Sequence, residues 1–281
     1  MQIKQADDVA EPCTDVLSEW PATALAALFD RDCIRFEDGC ALPLMWHWLY
    51  FPAAVRGRDI GEDGHPVRTG ALADAGFTRR MFAGGRTRIC HPPRIGETLT
   101  RQRSIRDQTT KDGRSGPLHF VTVEYRIYAG QHLCLREEQD IVYRPAATAD
   151  PAPKAPRAPA PPKAGTAIHS VSRIWHEADL VRFSALTYNG HRIHYDRDYA
   201  TLVEGYADIV VHGPLIALFL LECASPHPVY ASAGAFEFRA RSPLYVNEAA
   251  AYSIYEARED ALELECRGSD DRLVMTGHLH L

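Results

Sequence analysis

Alternation of apolar and polar positions is the strongest signal along the chain. His119, Val121, Val123, Tyr125 and Ile127 share one face of an extended segment, and Phe120, Thr122, Glu124 and Arg126 share the other. That is the period of a half-exposed antiparallel strand. Strand-like stretches at 86–91, 98–108 and 132–143, with turn signals at Asp112-Gly113 and Gly130-Gln131, extend it into a meander. The alternation returns late in the chain. Phe236, Phe238 and Ala240 oppose Glu237, Arg239 and Arg241; Leu262, Leu264 and Cys266 oppose Glu263, Glu265 and Arg267. Residues 168–175, 250–255 and 273–281 complete a second set of strands.

Helical patterns are fewer. Residues 14–29 carry Val16, Leu17, Trp20, Leu25, Leu28 and Phe29, but Pro21 interrupts them, which predicts two short helical pieces. The run LPLMWHWLYF, at 42–51, is dense in apolar side chains and holds Pro43, with Pro52 just beyond it. It predicts a buried helix around which a sheet wraps; a buried strand is the alternative that periodicity leaves open. Further on, 177–187 and 214–224 are helix candidates, the second buried. An apolar helix followed by several antiparallel strands, twice over, predicts an α+β fold in which two antiparallel sheets each wrap a central helix. The repeat is one of element order, not of sequence identity.

The halves meet at a segment that cannot join a core. Pro145, Pro151, Pro153, Pro156, Pro159, Pro161 and Pro162 sit among alanines without a large apolar side chain, so 145–166 is an extended, semi-rigid connector between an N-terminal half, 1–144, and a C-terminal half, 167–281. Residues 1–15 are polar and loosely held. Residues 56–76 are rich in Gly, Asp, Arg and Pro and read as a long loop, of the kind that covers a ligand.

Composition narrows the function. With 281 residues, 46% of them hydrophobic, the chain can bury a normal core. A formal net charge of −6 argues against a nucleic-acid or anionic-membrane binder, and no apolar run approaches a membrane span. The opening MQIKQADDVAEPC has no apolar core of the signal-peptide kind. Seven cysteines without a C-x-x-C pair suit a reducing, cytoplasmic setting and point to neither a metal site nor a disulfide framework. Only Lys4, Lys111, Lys154 and Lys163 are lysines, all other basic residues being arginines. That bias is either compositional or a means of holding phosphate or carboxylate in bidentate fashion.

The densest candidate chemistry lies in FSALTYNGHRIHYD, 183–196, where Asn189, His191 and His194 crowd a loop after a short helix. Shortly after it, VVHGPL places Gly213 at a helix start. Together they set an acid/base group against a backbone amide able to hold a developing negative charge. His194 is the first choice for the base, since an imidazole titrates near working pH, with a buried structural histidine as the alternative. Asn189 cannot ionise; it orients a water or a substrate group, or serves as a turn residue. His191 is a second polar contact or a solvated loop residue, and Asp196 orients an imidazole or caps a turn. Gly213 offers its N–H with the helix dipole behind it, or is small for packing. His47, between Trp46 and Trp48, reads as a hydrogen-bonded core or pocket histidine.

FSALTYNGHRIHYD followed by VVHGPL resembles the hydratase signature of the MaoC-like enoyl-CoA hydratases and dehydratases, which have the hotdog fold. LPLMWHWLYF, GHPVRTG and RRMFAGGR are similar to the N-terminal half of a double-hotdog subgroup. It contains mesaconyl-C4-CoA and itaconyl-CoA hydratases and the mitochondrial-type 3-hydroxyacyl-thioester dehydratase. The likeness covers most of residues 40–281. It implies a double hotdog whose C-terminal half carries the chemistry and whose N-terminal half shapes an acyl pocket and a CoA tunnel. The implied reaction is reversible hydration of an enoyl-CoA thioester, most simply a short branched dicarboxylic one. Alternatives are a 3-hydroxyacyl-thioester dehydratase of fatty acid metabolism and a non-catalytic acyl-CoA-binding protein. In the family signature Gly-Asp-x-Asn-Pro-x-His, the last residue matches His194 and the aspartate falls on Asn189, so Asp196 or Glu204 is left as a source of the missing carboxylate. Trp46 and His47 are expected to line the acyl pocket, and Arg79, Arg80, Arg86, His191 and Arg192 to meet substrate or CoA anions. No cofactor is required, the partner is the acyl-CoA itself, and a homodimer is compatible.

Overall fold

The computed structural model describes residues 10–32, 35–67, 76–77, 79–113, 116–145, 165–258 and 260–281. The loosely held N-terminus up to residue 9, most of the proline-rich connector (146–164) and the middle of the long loop (68–75) lie outside the described residues.

Strands β1 (Ala10–Val16), β2 (Arg79–Ile89), β3 (Thr98–Gly113), β4 (Gly116–Ala129) and β5 (His132–Arg144) come from the first half. The second half supplies β6 (His169–Ile174), β7 (Ala235–Ala240), β8 (Ala249–Arg258), β9 (Ala261–Arg267) and β10 (Leu273–His280). They form one antiparallel sheet in the order β1-β3-β4-β5-β2-β7-β10-β9-β8-β6. From the centre outward, β2-β5-β4-β3-β1 is mirrored by β7-β10-β9-β8-β6, so the two expected sheets are the two wings of a continuous one. The junction pairs Gly84 and Gly85 of β2 with Arg239 and Phe238 of β7. A Cβ on Gly84 would lie 2.5 Å from the Phe238 carbonyl oxygen, and one on Gly85 would lie 2.9 Å from that of Glu138. The junction needs glycine because backbone fills the space where a side chain would go.

Helix α1 (Glu19–Leu28) runs unbroken, contrary to the two pieces expected from Pro21. Pro21 falls in the first turn, where the N–H has no intrahelical acceptor to lose. Helices α2 (Glu177–Thr187), α3 (Gly213–Ala224) and α4 (Pro228–Ser232) follow in the second half. Helix α3 is the central helix of the C-terminal wing. Leu215, Ala217, Leu218, Leu220 and Leu221 are fully buried, and it packs on β6, β8, β9 and β10. An apolar surface on every side fits a helix enclosed by a curled sheet.

The N-terminal wing departs from expectation. Over 42–51 the chain forms a single 3₁₀ turn, Trp46–Leu49, and not a helix. Met45 and Phe51 adopt left-handed backbone angles, φ 66° and 60°, on either side of it. Two left-handed residues stop right-handed propagation at both ends, so hydrophobicity alone misleads here. Helix α1 packs against this turn and against α2. One hydrophobic core runs through both wings, joining Leu25, Trp46, Leu99 and Leu135 of the first half to Trp175, Leu218, Phe236 and Tyr252 of the second.

Candidate active site

Where the wings meet, a cavity of about 580 Å³ opens between the start of α3, the loop after α2, strand β2 and the loop 51–65. Both halves line it. Helix α2 ends when Tyr188 turns left-handed, φ 51°. The Asn189 N–H then donates to the Ser184 carbonyl, and the Asn189 Oδ1 accepts the His191 N–H at 3.1 Å. Asn189 is therefore the turn residue its sequence context allows. Its Nδ2 makes no hydrogen bond among the described residues, and the side chain borders the cavity.

A short 3₁₀ turn, Arg192–His194, carries the next imidazole inward. His194 is buried, and its Nδ1–H donates to the Val210 carbonyl at 2.7 Å. A carbonyl only accepts, so the tautomer is set and Nε2 keeps its lone pair. Burial pushes the imidazole down to about 4, against the pull of that hydrogen bond. His212 stacks on its face, ring centres 3.6 Å apart and planes 19° from parallel. His212 is wholly buried with Nε2 2.9 Å from Ser184 Oγ, and burial followed by its imidazole neighbours holds it well below the ordinary histidine value. The pair presents a neutral, fixed base to the cavity.

Immediately after His212, α3 begins at Gly213 with Pro214 behind it. The Gly213 N–H has no acceptor among the described residues and stands at the positive end of a twelve-residue helix. A Cβ there would only touch Phe82 at 3.5 Å, so packing does not require the glycine. The arrangement is a base and a backbone donor in one cavity, which is what proton abstraction opposite a developing oxyanion needs.

From the first half comes a turn within the loop 56–76, expected to cover a ligand, two of whose residues are not among the expected site residues. Asp63 and His65 lie on a loop whose Gly64 backbone touches Gly190; a Cβ on Gly64 would sit 1.8 Å from the Gly190 oxygen. The Arg192 N–H donates to the Asp63 carbonyl, locking the two loops. The His65 ring lies 4.3 Å from that of His191, itself 5.5 Å from that of His194. Polar side-chain atoms of Asp63, His65 and His191 all fall within 4.8 Å of one another. Burial, and after it the neighbouring charges of His65 and His194, push the His191 imidazole far down, so it too is neutral.

The remaining expected residues divide. His47 borders the cavity, bonded to Glu137 at 2.9 Å, and Trp48 Nε1 donates to the same carboxylate at 2.7 Å. Burial raises the Glu137 pKa, but the His47 charge, with hydrogen bonds from His47, Gln139 and Trp48, brings it net below its usual value. Trp46, expected in the pocket, is buried in the core against Phe29 and Phe36. Of the four arginines expected to meet anions, only Arg80 borders the cavity. Arg79 pairs with Glu204, Arg86 with Glu138 and Asp140, and Arg192 with Asp196 and the Glu62 carbonyl. Those three side chains tie the scaffold together. Arg101, stacked on Phe51 and Tyr125, and Arg241 also line the cavity and were missed, because nothing local sets them apart from paired arginines.

Comparison with known proteins gives the arrangement its relatives. The family model of hydroxyacyl-thioester dehydratase type 2 matches residues 45–246. The chain is 44% identical over 240 residues to the mesaconyl-C(4)-CoA hydratase of Chloroflexus aurantiacus, covering 85% of this chain and 84% of that one. It is 27% identical to the mitochondrial hydroxyacyl-thioester dehydratase type 2 of Schizosaccharomyces pombe, over 83% and 86% of the two chains. Among solved structures, a MaoC-like dehydratase from Phytophthora capsici superposes with a TM-score of 0.68 at 12% identity, covering 98% and 95%. A Mycobacterium tuberculosis protein described as a double hotdog superposes at 0.62, with 14% identity over 98% and 96%. With a mirrored ten-stranded sheet, a wrapped central helix and a family match over most of its length, the chain has the double hotdog fold and belongs to the hydroxyacyl-thioester dehydratase type 2 family.

Proposed function

We propose that the protein is a hydro-lyase that reversibly adds water to an enoyl-CoA thioester, with a short branched dicarboxylic acyl group such as that of mesaconyl-C4-CoA. The carrying observation is the His194 Nε2 lone pair in the same cavity as the unpaired Gly213 N–H. A water donates to Nε2 and accepts from Asn189 Nδ2. His194 takes its proton as the oxygen bonds to the β-carbon, the double-bond electrons move onto the thioester oxygen, and Gly213 N–H holds the resulting enolate. The dicarboxylic preference is supported by Arg80, which lines the cavity without a carboxylate partner among the described residues, and by the 44% identical relative's name. The proposal keeps the division between halves for the base and the oxyanion donor, His194 and Gly213, on 167–281, with the acyl and CoA walls built largely from 1–144. It also includes a cytoplasmic setting and a homodimer, the latter checked by sedimentation against the 31.3 kDa chain mass. No described helix is long and apolar enough to cross a membrane.

A panel of enoyl-CoA thioesters, followed by loss of conjugated-thioester absorbance and by product mass, tests the reading. Mesaconyl-C4-CoA or itaconyl-CoA should turn over with the highest kcat/KM. Faster turnover of medium or long monocarboxylic chains would favour the dehydratase reading, and binding without turnover of any member would favour a non-catalytic role.

A further inference from the structure

Hydration moves two protons, one off water and one onto the α-carbon, and His194 accounts for the first. Asn189, which falls where the general MaoC-like signature has aspartate, is no acid. The carboxylates left open by the sequence are engaged elsewhere: Glu204 is held by Arg79 and Asp196 by Arg192, and neither borders the cavity. Glu137 does border it, but His47, Trp48 and Gln139 occupy its oxygens.

What remains is the turn from the other half. His65 borders the cavity and rests against His191. Its Nδ1 is buried, has no hydrogen bond among the described residues, and faces the Asp63 carboxylate at 3.7 Å. The His65 N–H donates to the other Asp63 oxygen at 3.0 Å, so one residue fixes both backbone and ring. That leaves Nε2 as the ring atom open to the cavity. The gap to Asp63 is the kind that closes once substrate fills a site.

We propose that His65, oriented by Asp63, is the second proton-transfer residue of the reaction. The inference rests on the hydratase reading above. His194 Nε2 takes a proton from water as the C–O bond forms; His65 Nε2–H gives its proton to the α-carbon as the enolate collapses, and the C–H bond forms. The proton on His194 returns to His65 through solvent at the cavity mouth, so the cycle adds one water and nothing else. Proximity couples the rings: a charge on His65 disfavours one on His194 and on His191. Among the described residues, the charged or titratable groups facing His65 include Asp63 on its own turn and His191 and His194 on the loop after α2, and the Arg80 charge on β2 acts on His191.

The test uses the full-length protein with the best substrate of the panel. His65→Gln should lower kcat 10²–10⁴-fold with KM changed less than threefold. It should also remove the alkaline limb of the kcat/KM profile and abolish deuterium exchange at the product α-carbon in D2O. Asp63→Asn should lower kcat less, because the ring and its backbone lose the carboxylate that orients them. Unchanged melting temperature and CoA affinity would exclude misfolding as the cause. The proposal is overturned if His65→Gln keeps kcat within threefold and retains both limb and exchange. It is equally overturned if a chelator abolishes wild-type turnover and zinc restores it, since Asp63, His65 and His191 would then serve a metal. Failure of the wild type on every substrate would instead sink the hydratase reading itself.

Discussion

At the scale of single residues, the site depends on which polar groups are left without partners. His194 has one nitrogen committed to Val210 and one free. Replacing it by Gln should lower kcat by at least ~10³-fold with little change in melting temperature, measurable by steady-state kinetics beside calorimetry. Arg80 borders the cavity and has no carboxylate partner among the described residues, whereas Arg79, its chain neighbour, is held by Glu204. Arg80→Gln should reduce kcat/KM for a dicarboxylic enoyl-CoA by roughly 100-fold, while a monocarboxylic analogue of equal length changes less than threefold. Equal losses on both substrates would assign Arg80 to CoA or to the scaffold. This distinction could not be read from the chain. Arg79, Arg80, Arg86 and Arg192 are chemically identical, and their partners Glu204, Glu138, Asp140 and Asp196 are chosen by folding.

At the scale of elements, turns carry more of the function than helices do. The 61–65 turn reaches the catalytic loop only because Gly64 and Gly190 meet backbone to backbone. Gly64→Ala would bring a methyl into the Gly190 carbonyl and also strain a left-handed φ of 83°. We expect activity to drop at least tenfold, with a destabilisation of about 1–3 kcal/mol in denaturant titration. The central helix behaves differently. Leu218→Ala in α3 opens a cavity in a fully buried layer and should cost about 2–5 kcal/mol, with kinetics at 20 °C nearly unchanged in the molecules that stay folded. Strand alternation and α3 were legible because periodicity and burial agree there. The run 42–51 was not, since its conformation is settled by two left-handed residues and by His47 and Trp48 turning toward Glu137.

For the whole molecule, two wings share one sheet and one core. A break between Pro145 and Gly165 should therefore leave halves that are insoluble when made alone and that copurify as an active complex when made together. Pull-down from co-expressing cells checks this. Acid should act on the assembly through its buried imidazoles. His191, His194 and His212 all have folded-state pKa values below the usual 6.5, His194 at about 4. The unfolded chain thus binds more protons between these values and 6.5. The stability they confer is fully present above that range and is lost as pH falls through it, at up to ~1.4 kcal/mol per pH unit for each. Melting temperature should decline steadily from pH 7 to pH 5, and less steeply in His212→Phe.

The sequence by itself determined the strands, the central helix of the second half, and a loop whose Asn189, His191 and His194 announce proton chemistry, because periodicity and local crowding are short-range properties. Only the tertiary structure decided that the two sheets are one, that His212 backs His194, that Arg80 alone of its group has no carboxylate partner among the described residues, and that Asp63 and His65 join a site 126 residues away. Each of these depends on which surfaces meet when the wings close, and no spacing along the chain encodes that.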